Sequence, residues 1–317
     1  MNQTQRPIEI GLNAAIVAVA ERQPLILVVN GDTLPFGPFD PVAHRTFETG
    51  LRAWVAEQTA LKLGYVEQLY TFGDRGRHAL PGDVGLHLVS VGYLALTRIE
   101  DEVSAELARA GASWRRWYDF FPWEDWREGR PGILDEVLLP ALRDWASASA
   151  PAGRPFARRE RIALAFGEDG ARWDEERALD RYELLYDAGL VAEAARDGRT
   201  EQPDLPVAAT GAAMRFDHRR ILATAISRLR AKLKYRPVVF ELMPSEFTLT
   251  ELQRTVEAVA GRDVHKQNFR RLVEGAALVE PTGAVMSRGR GRPAAMFRFR
   301  REVLTERPAL GVRFGVR

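Results

Sequence analysis

The sequence predicts an α+β chain in two parts. A layered body of strands and helices occupies residues 1–235, with a helical insertion at about 100–150, and a small helix-turn-helix domain occupies 236–317. Three observations carry this reading. At about 150 residues per domain, 317 residues suffice for two. Apolar runs in the first part follow one another as strand, loop, helix and strand, the order of a layered α/β or α+β domain. The charge is divided. From Arg228 onward there are 19 Lys and Arg against 9 Asp and Glu, which leaves 26 against 34 in residues 1–227, although the whole chain carries only +2. An acidic body with a basic tail points the tail at a polyanion.

Taken in order, residues 8–20 and 24–29 read as strands with a turn at Asn30-Gly31-Asp32. TLPFGPFDP is a Pro/Gly loop. Residues 44–62 are helical in period, with Phe47, Leu51, Trp54, Val55, Gln58 and Leu61 recurring at threes and fours. LGYVEQLYTF and HLVSVGYLAL read as strands around the loop RGRHALPGD. Residues 100–148 read as helices joined by loops. They carry an aromatic segment, Trp114 to Trp126, that is either an element packed on the sheet, a dimer contact or a base-stacking wall. SASAPAGRP is a connection, RIALAF (161–166) a strand, and DEERALDRYELLYDAGL a helix ended by Gly189. Residues 217–235 form an amphipathic helix with Ile221, Leu222, Ala225, Leu229 and Leu233 as its buried stripe, stopped by Pro237.

Composition removes several chemistries. With no cysteine there are no disulfides, thiolate metal sites or thiol nucleophiles. The five histidines are scattered and form no HExxH pattern, which argues against a structural metal. The first residues have no basic head followed by a long apolar run, and the apolar stretches IGLNAAIVAVA and PLILVVNG are far shorter than the roughly 20 residues a membrane helix needs. The expectation is a cytoplasmic protein with no membrane partner and no required cofactor.

The tail is more specific. Thr248 and Glu251 have capping-box spacing, Leu252, Val256 and Val259 line one helix face, and Gly261 supplies a left-handed exit. Asp263 is read as the cap of a second helix, in which Phe269, Leu272 and Val273 face inward while Lys266, Gln267, Asn268, Arg270 and Arg271 project outward. Two short helices joined by three residues are the DNA-reading geometry. AALVE and AAMFRFR then form a hairpin whose connection carries Arg288, Arg290 and Arg292 among glycines, the composition of a wing reaching phosphates or the minor groove. Thr248, Thr250, Lys266, Gln267, Asn268, Arg270, Arg271 and the three wing arginines are the candidate contacts to double-stranded operator DNA. Arg270 and Arg271 have a second reading as salt-bridge braces of their helix.

The stretches YVEQLYTFGDRGR, VSVGYLAL, MRFDHRRILATAISRLRAKLKYRPVVFEL and FTLTELQRTVEAVAGRDVHKQNFRRLVE together resemble the Nudix-related transcriptional regulators of NAD metabolism, with the nearest likeness to the alphaproteobacterial NadQ regulators. The resemblance implies a Nudix-like α/β/α sandwich followed by a winged helix. It also implies repression of NAD biosynthesis genes under the control of an adenine nucleotide: ADP-ribose, NAD or ATP.

The Nudix catalytic motif is Gly, five residues, Glu, seven residues, then Arg-Glu-apolar-x-Glu-Glu-x-Gly. Its carboxylates hold divalent cations against a pyrophosphate. Matching Glu57-Gln58-Thr59 to the Glu-Glu-Thr of that helix places Ala53 and Trp54 at the Arg-Glu pair, Arg45 at the earlier Glu and Phe39 at the Gly. Glu57 alone survives, with Glu48 a nearby carboxylate out of register. The expectation is a nucleotide pocket without hydrolysis; the alternative is an active hydrolase of ADP-ribose or a related dinucleotide. For the pocket, Arg75 and Arg77 are candidates for paired hydrogen bonds to a pyrophosphate. Tyr70, Phe72 and Tyr93 are read as pocket walls or as sheet core, and Asn30 as a turn residue or pocket lining. Asp217 reads as a helix cap. A homodimer reading an inverted repeat is expected, with 217–235 or 114–126 as its surface.

Overall fold

The computed structural model describes residues 8–74, 87–99, 104–148, 155–200, 205–287 and 293–303. Its centre is a mixed sheet. Strands β1 (Ile8–Ala20), β2 (Gln23–Val29), β3 (Phe36–Pro38), β4 (Tyr65–Phe72), β5 (His87–Leu96) and β6 (Ala112–Arg116) lie in the order β4-β5-β1-β2-β6, with β3 also paired to β1. Only β1 and β5 are parallel among these pairs, with Asn13 opposite Gly92 and Ala14 opposite Tyr93. The central strand is buried without interruption from Gly11 to Ala18, as a strand covered on both faces must be.

Side-chain alternation sorts the core into two layers. Leu12, Ala14, Ile16, Leu27, Val91 and Tyr93 face helix α1 (Phe47–Thr59), which inserts Leu51 and Val55. Ala15, Val17, Ile26, Val28 and Leu94 face the opposite way. There they meet helix α8 (His218–Leu233), whose stripe of Ile221, Leu222, Ala225, Ile226 and Leu229 is fully buried. The α/β/α sandwich expected from the sequence is therefore present.

Between these layers the chain runs through α2 (Ser104–Arg109), β6, α3 (Leu139–Ser147), α4 (Pro155–Phe166), α5 (Ala178–Asp187), α6 (Ala192–Arg196) and α7 (Val207–Thr210). Two expectations need correction. The insertion is not wholly helical, because Ala112–Arg116 joins the edge of the sheet against β2. RIALAF is the end of α4, not a strand: Ile162, Ala165 and Phe166 are buried while Leu164 is 46% exposed, the spacing of a helix face rather than of a pleat. The aromatic segment is core, with Trp117, Phe120, Phe121 and Trp123 fully buried. Neither that segment nor the buried stripe of α8 is left open as a dimer surface.

The tail continues with α9 (Leu249–Ala260), α10 (Lys266–Gly275) and the hairpin β7 (Val279–Met286) and β8 (Ala294–Phe299). Phe247 pairs with Phe297 through two backbone hydrogen bonds of 2.9 and 2.8 Å, which fastens the hairpin to the start of α9. α9 also packs on β2 and β1 beside α8, so one apolar cluster runs from the sheet to Leu252, Val256, Val259 and Phe269. Among the described residues no helix is long and apolar enough to cross a membrane.

Candidate nucleic-acid interface and nucleotide-sensing face

The first helix of the tail forms as its sequence predicts. Thr248 accepts from the Glu251 N–H at 3.2 Å, and Glu251 accepts the Thr248 N–H at 2.8 Å, closing a capping box. Gly261 ends the helix at φ 72°. The Thr248 hydroxyl is thus occupied by its own helix, and Thr250 is half-buried in the first turn. Asp263, expected to cap α10, does not. The N-cap position falls to His265, with no side-chain capping bond. The turn is held from α9 instead: Glu257 accepts the Val264 N–H at 3.1 Å, and Gln253 donates to the Val264 carbonyl at 2.9 Å.

On α10, Phe269 and Val273 are buried and Leu272 is half-buried, while Lys266, Gln267, Asn268, Arg270 and Arg271 are all exposed. Among the described residues none of these five side chains has a hydrogen-bonding or ionic partner, so Arg270 and Arg271 do not brace the helix. The first turn holds no acid, and its unpaired N–H groups add positive potential beside Lys266. Sequence reasoning passes over Arg254, an exposed cation on α9 outside the apolar stripe that identifies the helix. Arg288, Arg290 and Arg292 lie outside the described residues, between two strands that do pair as a hairpin.

In the body, α1 carries the residues matched to the Nudix motif in the sequence, but its polar groups hold the fold. Gln58 clamps Phe36, accepting its N–H at 3.1 Å and donating to its carbonyl at 2.6 Å. Trp54 donates to the Pro38 carbonyl at 2.9 Å and covers Gly37 so closely that a Cβ there would sit 2.2 Å from the indole. Arg52 reaches the Leu63 and Gly64 carbonyls and pairs with Glu48. Glu48 and Glu57 are both exposed but nine residues apart, which at about 100° per residue puts them on opposite sides of the helix. These residues do not fit a divalent-cation cluster, which needs several carboxylates converging on one point.

Among the described residues, the pocket candidates Asn30, Tyr70, Phe72 and Tyr93 are not brought together. Asn30 is exposed in a left-handed turn at φ 52°, its N–H bonded to the Gly111 carbonyl. That turn borders a cleft of about 300 Å³ in which Asp32 already pairs with Arg215 at 3.0 Å. Tyr70 is 62% exposed on the edge strand β4. Phe72 is buried on the α8 side, under the Arg220 guanidinium at 5.0 Å. Tyr93 is buried on the α1 side, where burial first, and Glu48 second, raise its pKa. Phe72 and Tyr93 therefore cannot wall one pocket, since the sheet lies between them. Arg75 and Arg77 lie outside the described residues; Asp74, just before them, pairs with Arg220.

The start of α8 is strongly tied to the sheet. Leu34 donates to His218 Nδ1 at 2.9 Å, which leaves the proton on Nε2 to meet Asn13 Oδ1 at 3.0 Å. Asp217 occupies the N-cap position, but its carboxylate goes to Arg220 at 3.1 Å and makes no capping bond. Arg220 also pairs with Glu183. Burial alone would lower its pKa, yet these carboxylates hold it above the ordinary guanidinium value.

Comparison with known proteins agrees with this layout. Residues 239–299 match a family model described as the NrtR DNA-binding winged helix domain. The ADPR-responsive transcriptional repressor NtrR of Acinetobacter baylyi is 40% identical over 84 residues, 26% of this chain; the match spans a third of that relative's length (33%). The crystal structure of Shewanella oneidensis NrtR complexed with a 27mer DNA superposes with a TM-score of 0.56 at 20% identity, covering 96% of this chain and 98% of that one. A MutT/nudix family protein from Enterococcus faecalis reaches 0.50 at 15% identity, over 95% of this chain and 89% of that one. The chain therefore carries the NrtR-type fold, a Nudix-like body followed by a winged helix whose sequence matches the NrtR DNA-binding domain.

Proposed function

We propose that the protein is a DNA-binding transcriptional repressor of NAD biosynthesis genes, released or tightened on its operator by an adenine nucleotide held in the Nudix-like body. Residues 1–235 are the sensing part and 236–317 the reading part. The observation that carries this reading is α10, which presents five exposed polar side chains, none engaged within the described structure, in a segment matching a DNA-binding family model. Lys266, Gln267, Asn268, Arg270 and Arg271 face the major groove, where Gln pairs with adenine and Arg with guanine. Arg288, Arg290 and Arg292 contact the backbone or minor groove from the wing. A two-fold dimer would double the few base pairs one winged helix reads.

Of ADP-ribose, NAD and ATP, the name of the Acinetobacter relative favours ADP-ribose. Arg75, Arg77 and Tyr70 remain the proposed contacts. The body is proposed to bind without hydrolysis, because α1 uses its polar groups to fix neighbouring backbone and its two exposed carboxylates diverge.

The test uses a duplex enriched by the full-length protein from a random pool. Fluorescence anisotropy should show tight binding to that duplex over scrambled DNA, and ADP-ribose should change the affinity. Incubation with ADP-ribose and magnesium should release no AMP. Equal binding to both duplexes would overturn the repressor reading. AMP release abolished by Glu57→Ala would favour the hydrolase.

A further inference from the structure

The carboxyl end of α9 is built into the body. A helix leaves its last carbonyls without N–H partners, and here the body answers three carbonyls at this end. Tyr118 donates to the Ala258 carbonyl at 2.7 Å, Arg230 Nε to the Val259 carbonyl at 2.9 Å, and the Trp126 N–H to the Gly261 carbonyl at 2.6 Å. Gly261 is enclosed so tightly that a Cβ would lie 2.4 Å from the Glu124 carbonyl.

Behind these contacts stands a fully buried ionic cluster. Glu124 takes both Arg181 and Arg230 on its carboxylate, and the Arg181 contacts measure 2.5 and 2.9 Å. Arg181 also donates to the Ala165 and Asp174 carbonyls and lies 3.8 Å above the Trp173 ring. Burial alone would raise the Glu124 carboxyl, but the two guanidiniums hold it below the ordinary carboxylate range. Burial raises the Tyr118 hydroxyl, which keeps it a donor. Replacing such a cluster with apolar residues often costs a fold nothing, so its best-supported use is to fix one arrangement against others.

Both ends of the connection are defined. Arg230 is on α8, whose first turn is fixed to Asn13 of β1 and to Asp74. The 16-residue helix spans about 24 Å. At the far side, Glu257 of α9 holds the Val264 N–H just before α10. We propose that Tyr118, Glu124 and Arg230 are positioning residues for DNA recognition: they seat α9 in the body, so that α8 sets the pose of the reading helix and carries ligand-induced shifts to it.

This inference rests on the regulator reading above, and the experiment separates the two. Tyr118→Phe removes one hydroxyl and keeps the packing; Glu124→Gln removes the central charge. For the full-length wild type and both variants, two quantities are measured. One is the ratio of operator affinities with and without saturating ADP-ribose. The other is amide hydrogen exchange along 249–275. In Tyr118→Phe the ratio should shrink about fivefold, the worth of one buried hydrogen bond. ADP-ribose affinity of the free protein should stay at the wild-type value, and the last amides of α9 should exchange faster. An unchanged ratio with unchanged α9 exchange in Tyr118→Phe overturns the positioning role, whether or not Glu124→Gln folds. A wild type that binds no operator, or whose operator affinity is changed by none of ADP-ribose, NAD and ATP, sinks the regulator reading. The exchange measurement then still decides whether the body holds α9.

Discussion

Helices α1 and α10 are both amphipathic, and each buries one face in an apolar core, yet their outer faces have opposite fates. On α1, Arg52, Trp54 and Gln58 all bond to backbone carbonyls of the same protein. On α10, Lys266, Gln267, Asn268, Arg270 and Arg271 meet no partner among the described residues. A polar side chain engaged at home stabilises the fold and has little left to offer a ligand. One left unpaired contributes little to folding and keeps its donors for another molecule. Position on an amphipathic helix does not tell these cases apart; the partners do.

The contrast can be broken by substitution, and the largest effect belongs to the most inward polar group. Glu124→Gln should lower the unfolding free energy by about 3–5 kcal/mol at neutral pH, because two buried guanidiniums lose their counter-ion. The folded carboxyl titrates below its ordinary value of 4.5. Its contribution is therefore complete above that value and is lost as pH falls through the lower folded value. Urea unfolding from neutral pH into the acid range should show the gap between wild type and variant closing only below pH 4.5. A gap that stays constant throughout would contradict the assignment.

Next comes Gln58→Glu, which restores a carboxylate at a position where the Nudix motif has one. The Phe36 carbonyl loses its amide donor, so stability should fall by about 1–3 kcal/mol, and ADP-ribose with magnesium should still yield no AMP. Stability unchanged, or AMP appearing, would erase the difference drawn between the two helices.

On α10 the pattern inverts. Gln267→Ala and Arg270→Ala should change stability by no more than about 0.5 kcal/mol while reducing discrimination between operator and scrambled DNA by about 1–3 kcal/mol. Equal losses on both DNAs for Arg270→Ala would refute its role as a base reader. The smallest effect is expected from the wing: Arg290→Ala should weaken all duplexes alike and reduce the salt slope of binding by about one.

How much of this is legible in the sequence depends on the range of the interaction involved. Capping is local, so Thr248, Glu251 and Gly261 announce α9 correctly. A long apolar run suffices for a central strand, so β1 and β5 can be read with their limits. RIALAF misleads because a short apolar-rich run suits a strand or a helix end equally until burial distinguishes them. Asp263 has the right residue type for a cap, but Glu257, a turn and a half earlier, takes the loop. Phe72 and Tyr93 are not legible as sharing or not sharing a pocket for a geometric reason: which face each takes is decided by strand pairing and by a bulge between Gln68 and Thr71. The Glu124 cluster is invisible because its members lie 57 and 106 residues apart in sequence. A clue is present in α8, where Arg230 stands among the buried residues Ile226, Leu229 and Leu233.

The apolar cluster that runs from the sheet into α9 also bears on inheritance. Leu252, Val256 and Val259 lie in the same core as Val17 and Val28. A reading head cut away near residue 236 would expose that surface to water, and a foreign head grafted onto this body would have to reproduce its contours. A protein built in this way is poorly suited to evolve by shuffling interchangeable cassettes. New operator preferences would arise instead by point changes on the outer side of α10, where substitutions leave the shared core untouched.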